Sequence, residues 1–155
     1  MKINITPNFT QADIAKITQD YLKRVIKVTQ NELMQIGLQF VRDARLKAPP
    51  EGFNDDTGNL RSSIGFILLY DGEVVHSDFT QSAQGTDKAT GVEVGTKYAK
   101  EIGADYNTGW AIITVAGMEY AGYVEALGYD VITGSTLGAK AKLEKAFKNV
   151  ITAFS

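Results

Sequence analysis

Asp71-Gly72 stands between two runs of β-forming residues, and it constrains this chain more than any other dipeptide. Both residue types tolerate positive φ, which a two-residue type I′ turn demands, so the chain is expected to fold back as an antiparallel hairpin. The expected strands are Ser62 to Tyr70 and Glu73 to Phe79, a hairpin over 62–79. So short a turn also sets the register: Tyr70 faces Glu73, Leu68 faces Val75 and Ile64 faces Phe79. One face then carries Ile64, Phe66, Leu68, Val75 and Phe79, the expected core face. The other carries Ile67, Leu69, Val74 and His76, apolar enough to need cover from another element or another subunit.

Helical spacing dominates both ends. Leu22, Ile26, Leu33, Ile36 and Phe40 follow a 4-3 rhythm in which polar Thr29 fills the missing step. Thr10 and Asp13 have capping-box spacing, and Pro49-Pro50 ends the run by withholding amide donors and restricting the residue before. The spacing predicts a helix from about residue 11 to 47, with Gly37 marking a kink or a close crossing. Residues 1–9 are expected to be extended or flexible, and 49–59 to be a loop. Ser135 or Thr136 is expected to cap a last helix whose stripe is Leu143, Phe147, Val150, Ile151 and Phe154. Between hairpin and last helix, 80–95 is rich in Gly, Thr, Ser and Gln and reads as a mobile loop. A short helix is expected over Gly95 to Ala104 and a third strand over Gly109 to Val115. Met118 to Val124 reads as a strand or a helical turn. The order gives an α+β domain spanning 1–155. A long N-terminal helix, an antiparallel sheet of three to four strands and a C-terminal amphipathic helix packed on the sheet make it up.

A chain of 155 residues with 44% apolar residues can bury a sizeable core without metal or disulfide. It has no cysteine, which removes disulfides and thiolate chemistry. No apolar run approaches the roughly 20 residues of a membrane span, and Met1 to Phe9 lacks the pattern of a signal peptide, so a cytosolic start is expected. The net charge of −2 hides a partition: residues 1–50 carry eight Lys/Arg against four Asp/Glu, 51–130 four against thirteen, and 131–155 four against one. Basic ends and an acidic middle suit attraction between neighbouring copies.

Reactive constellations are sparse. His76 is the single histidine, so a Ser-His-Asp site would have to use it. Ser77 would point to the opposite face of its strand, and Asp78 lies two residues along, a rise of about 6.6 Å. Glu51, Asp55 and Asp56 lack the ligand spacing of a calcium loop. The run Gly134 to Lys140 falls short of a phosphate-binding loop, with three residues instead of four between its glycines. No Lys/Arg cluster interleaves with aromatics, so specific nucleic-acid recognition is not expected.

Two segments carry more information: Asp56-Thr57-Gly58-Asn59-Leu60-Arg61-Ser62-Ser63-Ile64 and Met118-Glu119-Tyr120-Ala121-Gly122-Tyr123-Val124-Glu125-Ala126-Leu127-Gly128. With Ala48-Pro49 before them and a terminal helix after, their order resembles the small tail-completion or tail-component proteins (head–tail joining, neck) of long-tailed phages and prophages. The likeness runs from about residue 33 onward. Three departures stand out, one of them a long loop at 80–110. Pro50 to Asp56 separate the proline from Thr57-Gly58, and Ala126-Leu127-Gly128-Tyr129 replace the aromatic and Gly-Thr usual after the glutamate. The resemblance implies a non-enzymatic structural protein without cofactors, forming a homo-oligomeric ring on the virion and contacting neighbouring neck or tail proteins. It implies location in the virion, and in host cytoplasm during assembly. It marks Thr57, Gly58, Leu60, Arg61, Ser63, Tyr120, Ala121, Tyr123, Glu125 and Gly128 as structural or interface residues. A forked Arg61 would suit Glu125 in its own or a neighbouring copy. Two other readings stay open: a small host-side binding module using the 80–110 loop, and a small hydrolase built on His76 or paired acids.

Overall fold

A computed structural model describes residues 8–155; most of the 1–9 segment thus lies outside the described residues. The elements are α1 (Gln11–Arg45), α2 (Asn59–Ser63), β1 (Ile64–Tyr70), β2 (Glu73–Asp78), α3 (Lys88–Gly103), β3 (Trp110–Ala116), α4 (Ala121–Ala126), α5 (Thr133–Thr136) and α6 (Ala139–Thr152). The fold is α+β: a three-stranded antiparallel sheet in the order β2-β1-β3, with α1 on one face and α3 on the other.

Helix α1 starts at the expected cap. The Thr10 hydroxyl accepts the Asp13 amide at 3.2 Å, and the Asp13 carboxylate accepts the Thr10 amide at 2.8 Å. Its buried residues are Thr29, Leu33, Gly37, Phe40, Val41 and Ala44, so the apolar stripe reaches the core only in its second half. Leu22, on the same stripe, is exposed. Gly37 marks a close crossing: a Cβ there would sit 2.2 Å from the Phe66 ring.

The central strand explains the two faces. Ile64, Phe66 and Leu68 pack under α1, and Ile67 and Leu69 pack under α3 with Ala99. Every β1 residue but Tyr70 is buried, which is why its sequence lacks polar alternation. Fully burying side chains of this size contributes about 1.5–3 kcal/mol each.

The hairpin turn is as expected, with φ of 49° at Asp71 and 83° at Gly72. Its register is corrected. Tyr70 faces Glu73, but a bulge between Leu68 and Leu69 makes Leu68 face His76 instead of Val75. One extra residue exchanges the faces of everything beyond it. His76 therefore joins the α1 face and stacks on Phe66, centroids 5.4 Å apart, and Phe79 joins the α3 face. β2 ends at Asp78, so Ile64 does not face Phe79.

Three boundaries are corrected. Ser62 and Ser63 close the short helix α2, and the first strand begins at Ile64. The segment 88–95, read as loop, is the first half of α3. Gly91, Gly95, Ala99 and Gly103 recur every fourth residue, and all four are buried. They form the face on which α3 meets α2 and β1, with a Gly91 Cβ falling 2.2 Å from the Asn59 carbonyl oxygen and a Gly95 Cβ 2.5 Å from that of Ser63. The last helix starts after Gly138, at a positive φ of 77°, and Ser135 and Thr136 belong to α5. Met118 to Val124 is helical in part, as α4.

Helix α6 lies in the α1 layer, beside α1 rather than directly on the strands. Leu143 reaches the core cluster, Phe147 and Ile151 are exposed, and a groove separates α6 from β3.

Candidate functional site

The two marked segments meet at the end of the sheet where α1 stops. Asp55 begins the arrangement: its carboxylate accepts the Gly58 amide at 3.0 Å and the Arg61 amide at 2.7 Å, which supplies α2 with the start it needs. Gly58 takes a φ of 77°, and Leu60 is buried beneath the turn. The Ser63 hydroxyl donates to the Leu60 carbonyl at 2.8 Å and accepts the Met118 amide at 3.3 Å. The Gly117 amide donates to the Ser63 carbonyl at 3.1 Å. Through Ser63 the first segment thus holds the start of the second.

Arg61 is the hub. Its guanidinium donates to the carbonyls of Arg45, of Lys47 at 2.7 Å and of Phe53 at 2.8 Å, and it lies 4.6 Å above the Phe53 ring centre. The carbonyls at the end of α1 lack intrahelical partners, and a forked cation both satisfies them and complements the helix dipole. Arg45 extends the clamp, donating to the hydroxyl and carbonyl of Thr80.

Glu125 does not pair with Arg61 in its own chain. Its carboxylate accepts the amides of Ile132 and Thr133, each at 2.9 Å, and the Thr133 hydroxyl at 2.9 Å, holding the start of α5. Partial burial pushes this carboxyl up, and those hydrogen bonds outweigh burial and hold it below its ordinary value. Asp130 is in the same position: burial raises it, while Lys47 at 2.7 Å and the Gly134 amide at 2.9 Å lower it further. Lys47–Asp130 ties the end of α1 to α5.

The tyrosines sit at the rim. Burial and the nearby Asp55 charge raise the Tyr120 phenol above its ordinary value, opposed by a hydrogen bond with Thr57. Tyr123 is 67% exposed, with exposed Leu127 beside it. Ala121 is buried, and Gly128 takes a φ of 92° with open space around it. The marked residues therefore separate into a frame of buried Leu60, Ser63 and Ala121 with half-buried Arg61 and Glu125 and with Gly58 at the turn, and an accessible rim of Thr57, Tyr120, Tyr123 and Gly128.

Comparison of the chain with family models, with curated proteins and with solved structures finds no match.

Sequence reasoning missed the parts played by Asp55, Lys47 and Asp130. Asp55 precedes Gly58 by three residues and is the signal that was available: a carboxylate one turn ahead of a helix start. Lys47–Asp130 links positions 83 apart in the chain, and no local pattern announces it. Among the described residues no three His, Asp or Glu side chains cluster as metal ligands, and no helix is long and apolar enough to cross a membrane. The Nε2 of His76 has no hydrogen-bond partner there either.

Proposed function

We propose that this chain is a non-enzymatic structural protein of the neck or tail of a long-tailed phage or prophage, acting in tail completion or head–tail joining. It assembles as a ring and docks neighbouring virion proteins, having been made in the host cytoplasm. The order of the two marked segments supports the family, and their convergence on one frame supports reading them as architecture.

One observation carries the self-association. The first half of α1 leaves the fold. Residues 11–24 are exposed throughout, yet Ile14, Ile17, Tyr21 and Leu22 remain apolar there. Beside them, Phe154 packs edge-on against Tyr21, and Phe147 and Ile151 of α6 are exposed. A contiguous apolar surface of this kind marks an interface. Because α1 and α6 pack side by side, the two basic ends of the sequence form one layer, with Lys16, Lys23, Arg24 and Lys27 on one helix and Lys140, Lys145 and Lys148 on the other. The acidic middle places Asp71, Glu73 and Asp78 on the hairpin. A head-to-tail contact between such unlike faces generates a ring when its rotation closes.

Light scattering at rising concentration, alone and with the products of adjacent genes, tests the reading. A discrete oligomer is expected, formed alone or on those partners. A strict monomer in every mixture would overturn it. Residues 88–103 of the 80–110 segment form α3, whose buried face packs on the sheet, so a host-side binding module would have to use the 80–87 and 104–109 loops.

A further inference from the structure

Helix α6 is tied to α1 at three heights. Lys142 lies 3.7 Å from Asp43, the Asn149 side-chain amide donates to the Glu32 carboxylate at 2.8 Å, and Phe154 packs edge-on against Tyr21. Strand β3 is fixed separately, by its ladder to β1. The two walls of the groove between α6 and β3 are thus held by different partners, and the cleft between them has a volume of about 360 Å³. That is the size of a small-ligand site.

The lining is ordered along its length. Trp110, Ile112 and Thr114 stand opposite Tyr70, Leu68 and Phe66 in the ladder, so their side chains share the α1 face of the sheet. Leu33 and Phe40 of α1 form the floor, and Leu143 and Phe147 of α6 the facing wall. One end is polar: Ser135 and Thr136 of α5 meet Thr114, which also borders Ile132 at the start of α5. Trp110 lies four residues from Thr114, about 13 Å along the strand, and Phe147 lies about two turns along α6 from Ala139, which adjoins the polar end.

Two groups in this lining call for a ligand. Ser135 is 7% exposed, and its hydroxyl has no hydrogen-bond partner among the described residues. A buried hydroxyl without a partner is costly, so its presence needs a reason. Lys142 is the one charged side chain among the described residues lining the cleft, and its 3.7 Å contact with Asp43 is too long for a hydrogen bond.

We propose that this cleft binds a small monocarboxylic acid with an unbranched apolar tail. The carboxylate accepts from the Ser135 hydroxyl and the Lys142 ammonium, while the tail runs past Ile112 and Leu143 toward Trp110 and Phe147. A saturated tail of about ten carbons covers the length of the cleft. The site depends neither on self-association nor on the phage reading.

Trp110 is the single tryptophan, so its emission reports what enters the cleft. Full-length protein is titrated with hexanoate, octanoate and decanoate below their micelle concentrations. A saturable blue shift is expected, with affinity rising about fourfold per added methylene. Decyltrimethylammonium, with the same tail and the opposite charge, should give no saturable shift. Ser135→Ala and Lys142→Gln should each weaken decanoate at least threefold, and Ser135→Ala should keep its unfolding midpoint, its hydroxyl having no partner to lose. Ala139→Phe, filling the polar end, should abolish the shift; if circular dichroism finds it unfolded, Ala139→Leu takes its place. Ile17→Asp with Leu22→Asp, on the exposed half of α1, should leave the titration unchanged. No saturable shift with decanoate, equal affinity for the ammonium amphiphile, or decanoate binding undiminished in Ser135→Ala or in the folded Ala139 variant overturns the proposal.

Discussion

Arg61 donates to three backbone carbonyls that no other described residue reaches, and its removal leaves them unpaired in a half-buried site. Arg61→Ala is expected to cost about 2–4 kcal/mol, because hydrogen bonds from a charged donor are lost and their acceptors stay desolvated. Arg61→Lys should recover little, since a single ammonium cannot span the fork. Urea unfolding of both variants measures this. Glu125 and Asp130 make a second prediction at the same scale. Both titrate below their ordinary values of 4.5 and 3.8, so the folded chain favours their charged forms. Their contribution is complete above about pH 4.5 and drains away as pH falls through the lower folded-state values. In thermal melts from pH 6 down to 2.5, Glu125→Gln should be less stable than wild type at pH 6 and should decline less steeply below pH 4.5.

At the scale of elements, the small-residue face of α3 decides how closely that helix approaches the sheet. Gly95→Ala gains about 1 kcal/mol of helix propensity, but its Cβ would lie 2.5 Å from the Ser63 carbonyl oxygen, a backbone atom that cannot step aside. Overpacking of this kind typically costs about 1–3 kcal/mol, so the variant should unfold at lower denaturant. The same face explains where the sequence misled. Glycine density over 80–95 reads as loop composition, yet Gly91 and Gly95 are spaced with Ala99 and Gly103 at the period of a helix. The period was legible and the composition masked it. By contrast the α1 cap at Thr10 and Asp13, the buried Thr29 step and the Asp71-Gly72 turn were fully legible, because each rests on contacts within a few residues. The bulge at Leu68/Leu69 was not, since the hairpin pattern is equally good with or without it. The frame around Arg61 was half legible: the residues were marked, but their partners are main-chain carbonyls, which a sequence does not distinguish.

For the whole molecule, the outer half of α1 is the surface to test. Ile17 is 69% exposed and Leu22 53%, so Ile17→Asp with Leu22→Asp should leave the unfolding midpoint within about 0.5 kcal/mol of wild type. The same pair should abolish the oligomer on sizing. The proposed association between the basic α1–α6 layer and the acidic hairpin should also weaken as salt rises, since the Debye length shortens from about 10 Å at 0.1 M to about 3 Å at 1 M.

A helix anchored at one end and bare at the other cannot be equally firm along its length. Beyond Thr29 its amides are locked by the core, while those before Tyr21, where the packing on Phe154 begins, close only as well as an isolated peptide helix would. Deuterium should therefore enter the first turns within seconds and the last turns only on global opening. When neighbours cover the bare end, that gradient should flatten, so the exchange profile of one helix reports how far assembly has gone.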